Sequence, residues 1–204
     1  MLDKNPNQIL NEVFMKLKME FSDKNPIFIL SSKPFAKSQF LTNLIDSSTV
    51  PTIFLDFDLL YSGYIHSGMI KKNENLKILR SNEIDFQMHL KDVIEKISKE
   101  PVLVILDSIN VLNNMLESLD SFRFINASLM LLASIAKNTK SHIVVTTMVV
   151  KNESGEWVLS PGGKHLLEST KSGVYYLDSS ESNLILNSVN KNQEGEKSFM
   201  MKYN

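Results

Sequence analysis

A strand, a tight turn and a helix headed by Lys-Ser are predicted over residues 27–40, IFILSSKPFAKSQF. Four apolar residues indicate a buried strand, a serine- and proline-containing turn follows, and Lys37-Ser38 open a helical run. This layout is typical of a phosphate-binding loop, whose consensus is G-x-x-x-x-G-K-[ST]. Ser31 and Ala36 stand at the two glycine positions. The stretch predicts a degenerate phosphate site or, alternatively, an ordinary strand-turn-helix with a surface Lys-Ser pair.

The chemistry of such a site is simple. A helix N-terminus presents unpaired N–H groups and a partial positive charge to an anion. Lys37 adds a full charge for the outer phosphates, and the Ser38 hydroxyl can ligate magnesium. Ala36 places a methyl group where backbone normally approaches the ligand closely. The residues predicted to bind ATP are Ser31, Ser32, Lys33, Pro34, Phe35, Ala36, Lys37, Ser38 and Gln39.

Composition limits the function classes. The 204-residue chain has 43% hydrophobic and 22% charged residues, which is typical of a globular protein. Its net charge of −1 means that any contact with nucleic acid depends on a local patch. The lack of cysteine excludes disulfides, thiol catalysis and cysteine-based metal sites. No apolar run approaches the roughly 20 residues of a membrane span, and the polar N-terminus is unlike a signal peptide. We expect a cytoplasmic protein without membrane contact, in one domain over 1–204 (N-terminal helix 1–22, core 23–204).

Two predicted strands end in acidic residues. Val50–Phe57 is followed by Asp58, and the very apolar run Pro101–Asp107 ends in Asp107. Ligands of parallel α/β sheets lie beyond the carboxyl ends of the strands. Asp107 is therefore predicted to hold magnesium together with the Ser38 hydroxyl, and Asp58 to orient a water molecule, unless it caps the following helix. We expect Lys37 and Asp107 to converge at neighbouring strand tips.

The remaining elements are predicted from apolar periodicity. Alternating strands and helices that give way to strands indicate a mostly parallel α/β sheet with an antiparallel C-terminal edge. Helices are predicted over 6–22, partly over Leu59–Ile70, and over Glu83–Ser98 and Phe124–Lys137; further strands over Leu76–Leu79 and Ser141–Thr147; and a closing antiparallel meander over Gly173–Leu177, Asn183–Asn187 and Lys197–Lys202.

Several of these stretches occur together, in the same order, in one family. The chain resembles the ATPase core of the RecA/RadA recombinases, and within it archaeal RadA and its paralogues, over roughly residues 20–203. The resemblance implies a three-layer P-loop NTPase fold with ATP and Mg²⁺ as ligands. The motifs that carry it are Lys37-Ser38-Gln39-Phe40, Leu55-Asp56-Phe57-Asp58, Leu106-Asp107-Ser108, Pro161-Gly162-Gly163 and Glu194-Gly195-Glu196.

The resemblance also implies a DNA-binding segment. Met148–Ser160 matches the second DNA-binding loop of the family, in which Lys151 would meet phosphates and Trp157 would stack on a base; Lys164 follows it. A hydrophobic contact is the alternative for Trp157. The family has a nucleotide-sensing glutamine where this chain has Met148, which cannot hydrogen-bond phosphate usefully. We therefore expect weak coupling between nucleotide and DNA.

Two functions follow from these features. The first is a RadA paralogue of homologous recombination and DNA repair that binds ATP-Mg weakly and hydrolyses it slowly, as a weak DNA-dependent ATPase, or not at all. Lys37 and Asp58 would be its catalytic residues, and single-stranded DNA, a RadA-type recombinase or another paralogue its partners. Homo-oligomers remain open, but an independent filament is not expected. The alternative is a non-catalytic scaffold, or a KaiC-like regulatory protein, that acts through protein–protein contacts.

Overall fold

Strands and helices alternate along most of the chain, as predicted. The computed structural model describes residues 15–116, 121–151, 157–159, 171–189 and 197–202, with the backbone alone at 151 and 157–159. The strands are β1 (Ile27–Ser31), β2 (Thr52–Asp56), β3 (Leu76–Arg80), β4 (Leu103–Asp107), β5 (His142–Lys151), β6 (Trp157–Leu159), β7 (Gly173–Ser179), β8 (Asn183–Ser188) and β9 (Ser198–Lys202). The helices are α1 (described over 15–21), α2 (Pro34–Asp46), α3 (Leu60–His66), α4 (Glu83–Ile97), α5 (Ile109–Met115) and α6 (Ser121–Thr139).

Eight strands form one sheet in the order β3-β2-β4-β5-β1-β7-β8-β9. The first six of these pair in parallel, and β8 and β9 add antiparallel to β7. Every residue of β4 is buried because the strand lies inside the sheet with helices on both faces. The predicted fold class, a three-layer α/β sheet with an antiparallel edge, is confirmed.

Two apolar layers sandwich the sheet. One face packs against α1, α2 and α3, and it includes Leu17, Phe40 and Tyr61. The other face packs against α4, α5 and α6, and it includes Phe86 and Ile125. Adjacent residues of β1 and β4 point alternately into the two layers, as the period of a strand requires. The helices thus fix which strand ends remain open for a site.

The C-terminal strands differ in one respect from the predicted meander. β7 pairs in parallel with β1, so that Ile27 lies opposite Gly173, and only β7-β8-β9 form an antiparallel meander. The period-2 burial of β7 is the same for parallel and antiparallel neighbours, which is why the sequence pattern alone did not distinguish them.

The segment after β4 also differs. Ser108–Ser121 is polar and mixed in sequence, and no helix is predicted there, but it contains α5 and the start of α6. The apolar residues Ile109 and Leu112 are buried at a spacing of one helical turn, and this is the signal that the polar composition obscured. Among the described residues, no helix is long and apolar enough to cross a membrane.

The central position of β4 can be tested by truncation. We expect Ile105→Ala to lower the free energy of unfolding by about 2–5 kcal/mol, because the side chain is fully buried. Ile84→Ala is the matched control, since Ile84 is 85% exposed on α4, and it should change stability by less than about 0.5 kcal/mol. Urea unfolding measures both values. Equal losses in the two variants would contradict the placement of β4 in the core.

Candidate functional site

The carboxyl ends of the central strands meet at one edge of the sheet. In the parallel pairing of β2 with β4, Asp56 lies opposite Asp107. The Phe57 N–H donates to the Asp107 carbonyl oxygen over 2.7 Å and extends this pairing by one residue. This register brings the acidic ends of two strands side by side, and it does so through backbone bonds that do not depend on the acidic side chains.

Lys37 reaches this edge from the first turns of α2. Its ammonium donates to Asp58 Oδ2 over 3.0 Å and to Asp107 Oδ1. Lys37 and Asp107 are fully buried, and the Asp58 side chain is 12% exposed. β1 and β4 flank β5 rather than each other, so the two side chains meet across an intervening strand instead of at neighbouring tips.

Electrostatics keep the Lys37 ammonium charged. Burial acts to lower the pKa of Lys37, but Asp107 and Asp58 outweigh it and raise the pKa above its ordinary value. Burial raises the pKa of Asp107 to about 6; Lys37 opposes this rise, and the nearby Asp58 carboxylate adds to it. At neutral pH the group is therefore an ion pair with a second carboxylate beside it.

Three carboxylates gather around this ion pair. Asp56, Asp58 and Asp107 each offer an oxygen atom within 4.8 Å of the others. The Ser62 N–H donates to Asp56 Oδ2 over 2.8 Å, and burial raises the pKa of Asp56 above its ordinary value. Asp56 Oδ1 and Asp107 Oδ2 are buried with no hydrogen-bond partner among the described residues. Hard oxygen ligands with free lone pairs are the donor set that Mg²⁺ prefers, so these residues fit a divalent cation.

The start of α2 fits phosphate less completely. Pro34 at the first helical position has no N–H, and the Lys33 N–H is engaged by Ser31 Oγ at 3.2 Å. The Lys37 N–H donates to the Lys33 carbonyl at 3.0 Å, and Ser38 Oγ donates to the Pro34 carbonyl at 3.1 Å. Backbone donors that a phosphate-binding loop turns toward its ligand are thus partly used within the helix.

The turn between β1 and α2 is also tied to β7. Ser32 Oγ lies 3.3 Å from the Tyr176 hydroxyl, and Lys33 Nζ lies 3.3 Å from Asp178 Oδ1. Phe35 makes an edge-to-face contact with Tyr64 of α3, with ring centroids 5.5 Å apart. The remaining members of the predicted loop, Ala36 and Gln39, are buried in α2.

The end of β5 supplies residues that sequence reasoning missed. Thr146 Oγ1 donates to Asp107 Oδ1, the same oxygen that Lys37 contacts. Asn110 of α5 accepts from Thr147 Oγ1 at 2.7 Å and from the Met148 N–H at 2.8 Å. The hydroxyl run at the end of an apolar strand was the available signal for Thr146, whereas Asn110 gave none. These bonds lock β5 to the acidic end of β4.

The predicted DNA-binding residues fall in three different situations. Met148–Ser160 is predicted as a loop, but β5 continues through Lys151 and pairs with β6, so that Lys151 lies opposite Trp157. Two β-branched residues, Val149 and Val150, explain the extension of the strand. Lys164 lies outside the described residues, as do the Pro161-Gly162-Gly163 and Glu194-Gly195-Glu196 motifs.

Comparison with known proteins bears on the fold. No protein-family model and no curated protein matches the sequence. Solved structures do match. The ATPase domain of a DnaB-family helicase has a TM-score of 0.59 and 10% identity, over 97% of this chain and 95% of that one. The fold is RecA-like. "The Structure Of A DnaB-Like Replicative Helicase And Its Interactions With Primase" has a TM-score of 0.55 and 10% identity over 88% of this chain, which spans 55% of that protein.

These RecA-like neighbours are helicase structures, whereas the sequence motifs suggested recombinases. At 10% identity the likeness shows the fold alone, and it does not distinguish the two groups. The acidic edge of the sheet in this chain must therefore be judged from its own residues.

Removal of the Lys37 charge tests the energetics of the site. We expect Lys37→Met to lower the free energy of unfolding by about 3–5 kcal/mol, because Asp107 is left charged, buried and unpaired. Adding Asp107→Asn should recover part of this loss. The control is Lys33→Met, since Lys33 and Asp178 are about half exposed, and it should cost less than about 1 kcal/mol. Urea unfolding of the four proteins measures this. A loss of similar size for Lys37→Met and Lys33→Met would be incompatible with a buried ion pair.

Proposed function

We propose that this chain is a RecA-fold nucleotide-binding domain of DNA metabolism that binds ATP-Mg²⁺ weakly. The observation that carries the proposal is the contact of Lys37 with Asp107 and Asp58 at the carboxyl edge of the parallel sheet. A lysine at the start of a helix and an acidic strand end are the two groups that nucleotide phosphates and their magnesium ion require. The helicase names of the structural neighbours add an analogy in the same direction.

Each residue has a proposed role in that complex. Lys37 would contact the outer phosphates, Ser38 and Asp107 would hold the cation, and the phosphates would lie along Ser31–Gln39. Magnesium supplies charge neutralisation of the phosphates when it is bound. Weak affinity follows from the start of α2, where proline and intrahelical bonds remove backbone donors. Slow or absent hydrolysis follows from Asp58, whose carboxylate is already engaged by Lys37.

The finer proposal is a RadA-like role in homologous recombination and repair, with single-stranded DNA or a recombinase as partner. Its support is the order of the sequence motifs around Lys37, Asp58 and Asp107. The pairing of Lys151 with Trp157 in one ribbon puts a cation and an aromatic residue at the same register, which suits a single strand of DNA.

A non-catalytic scaffold or KaiC-like regulatory protein is the second candidate. The observation that favours it is the complete burial of Lys37 and Ser38. A lysine whose charge is already satisfied by two carboxylates can serve the fold alone. The two candidates differ in whether ligands displace that ion pair.

Thermal unfolding with and without Mg-ATP separates the two candidates. At about 100 times its dissociation constant, a ligand that binds only the folded state adds about 2.7 kcal/mol to stability. We expect millimolar Mg-ATP to raise the melting temperature of the wild-type chain. Asp107→Asn should abolish the magnesium-dependent part of the shift, whereas Asp178→Asn, outside the acidic cluster, should retain it. A folded wild-type chain that shows no shift would establish the scaffold instead.

DNA contact is tested at the β5–β6 ribbon. We expect a fluorescent oligothymidylate to bind with an affinity that falls as salt rises, because phosphate contacts release counterions. Trp157→Ala together with Lys151→Ala should weaken binding, and Lys91→Ala on exposed α4 should not. Fluorescence anisotropy at two salt concentrations gives the affinities. Unchanged binding in the double variant would remove this ribbon from the DNA-binding surface.

A further inference from the structure

A second, differently charged cavity lies beside the acidic edge. It has a volume of about 520 Å³ and is formed by the ends of α3, β3 and α4. We call it the edge cavity, because β3 is the edge strand of the sheet. Its volume falls in the range of roughly 300–1,000 Å³ that is usual for small-molecule sites. The polar residues that line it are Ser62, His66, Lys72, Arg80 and His89.

The charge of the edge cavity has one sign. Lys72 and Arg80 are cations, His66 and His89 are the other basic groups, and none of the residues that line the cavity is acidic. Within the described part of the chain, neither Lys72 nor Arg80 makes an ion pair or a side-chain hydrogen bond. Both are exposed, so their donors are available to a ligand. Converging donors without a carboxylate partner define a site for an anion.

Two features orient these donors. His89 Nδ1 lies 2.6 Å from Ser81 Oγ, and this contact holds the imidazole ring with its other nitrogen free. Arg80 ends β3 and lies opposite Asp56 in the parallel register, so backbone pairing fixes where its side chain begins. A guanidinium carries a planar fork of N–H donors that matches the oxygens of phosphate.

The edge cavity shares a wall with the acidic cluster. Ser62 lines the cavity, and its backbone N–H donates to Asp56 Oδ2 over 2.8 Å. Asp56 itself is fully buried and does not line the cavity, so its charge is directed inward toward Lys37 and Asp107. A cation site and an anion site therefore lie on opposite sides of α3's first turns.

We propose that the edge cavity binds a phosphate group, carried either by a free phosphoanion or by the backbone of a nucleic-acid strand. The four basic side chains supply the recognition, with Arg80 and Lys72 as the charged donors. Aliphatic side chains, among them Ile65 and Ile78, line the remainder and suit the attached sugar or chain. This site is separate from Lys37 and stands whether or not Lys37 meets a nucleotide.

The histidines make the proposal directly measurable. We would record imidazole ¹H–¹³C NMR spectra of the full chain at constant pH and ionic strength, adding sodium phosphate, pyrophosphate, or a 5′-phosphorylated oligothymidylate. The His66 and His89 signals should move saturably. His142 is the internal reference, because it begins β5 at the opposite end of the parallel strands. The probe that binds most tightly identifies the source of the phosphate.

Variants decide whether the edge cavity is responsible. Arg80→Gln together with Lys72→Gln should raise the dissociation constant by about tenfold or more, as two charge-assisted contacts are lost. Lys77→Gln is the matched control, since Lys77 lies on the same strand but lines a different cavity, and affinity should stay within about twofold. The proposal is overturned if no probe moves His66 and His89, if His142 moves equally, or if the double variant binds like the wild type.

Discussion

A buried ammonium between two carboxylates organises this molecule. Burying charges is costly unless each is paired and hydrogen-bonded, and Lys37 meets that condition only where α2, β2 and β4 converge. The contact therefore fixes the start of α2 relative to strands that are not its neighbours in the sheet. Thr146 adds a hydroxyl to Asp107, which draws the intervening β5 into the same arrangement.

The same interaction governs access to the site. Asp107 and Asp58, which neutralise Lys37, belong to the carboxylate cluster that fits a divalent cation. A nucleotide and its magnesium would exchange partners with this network, with Lys37 passing to phosphate and the carboxylates to the cation. Across the first turns of α3, the edge cavity around Arg80 offers the opposite charge. The carboxyl edge of the sheet thus presents two complementary regions rather than one.

The sequence predicted the parallel part of this fold because strand and helix periods differ and because acidic residues mark strand ends. Asp58 and Asp107 could be proposed from that pattern, as could their meeting with Lys37. The burial of Lys37 could not, since periodicity does not report which side chains pair. Asn110 was missed because an amide in a polar stretch is silent until α5 places it under β5. The parallel pairing of β7 was missed because it joins distant segments whose burial period is the same in either direction.

The central claim is that Lys37 occupies, in the ligand-free chain, the place where phosphate and a cation meet the acidic edge. A crystal structure with Mn²⁺ and a non-hydrolysable ATP analogue tests it most directly, because manganese gives an anomalous signal that locates the ion. The account predicts a manganese peak at Asp107 and a Lys37 ammonium on the phosphates instead of on Asp58. A chain saturated with both ligands in which Lys37 still bridges Asp58 and Asp107, with no manganese beside them, would contradict it.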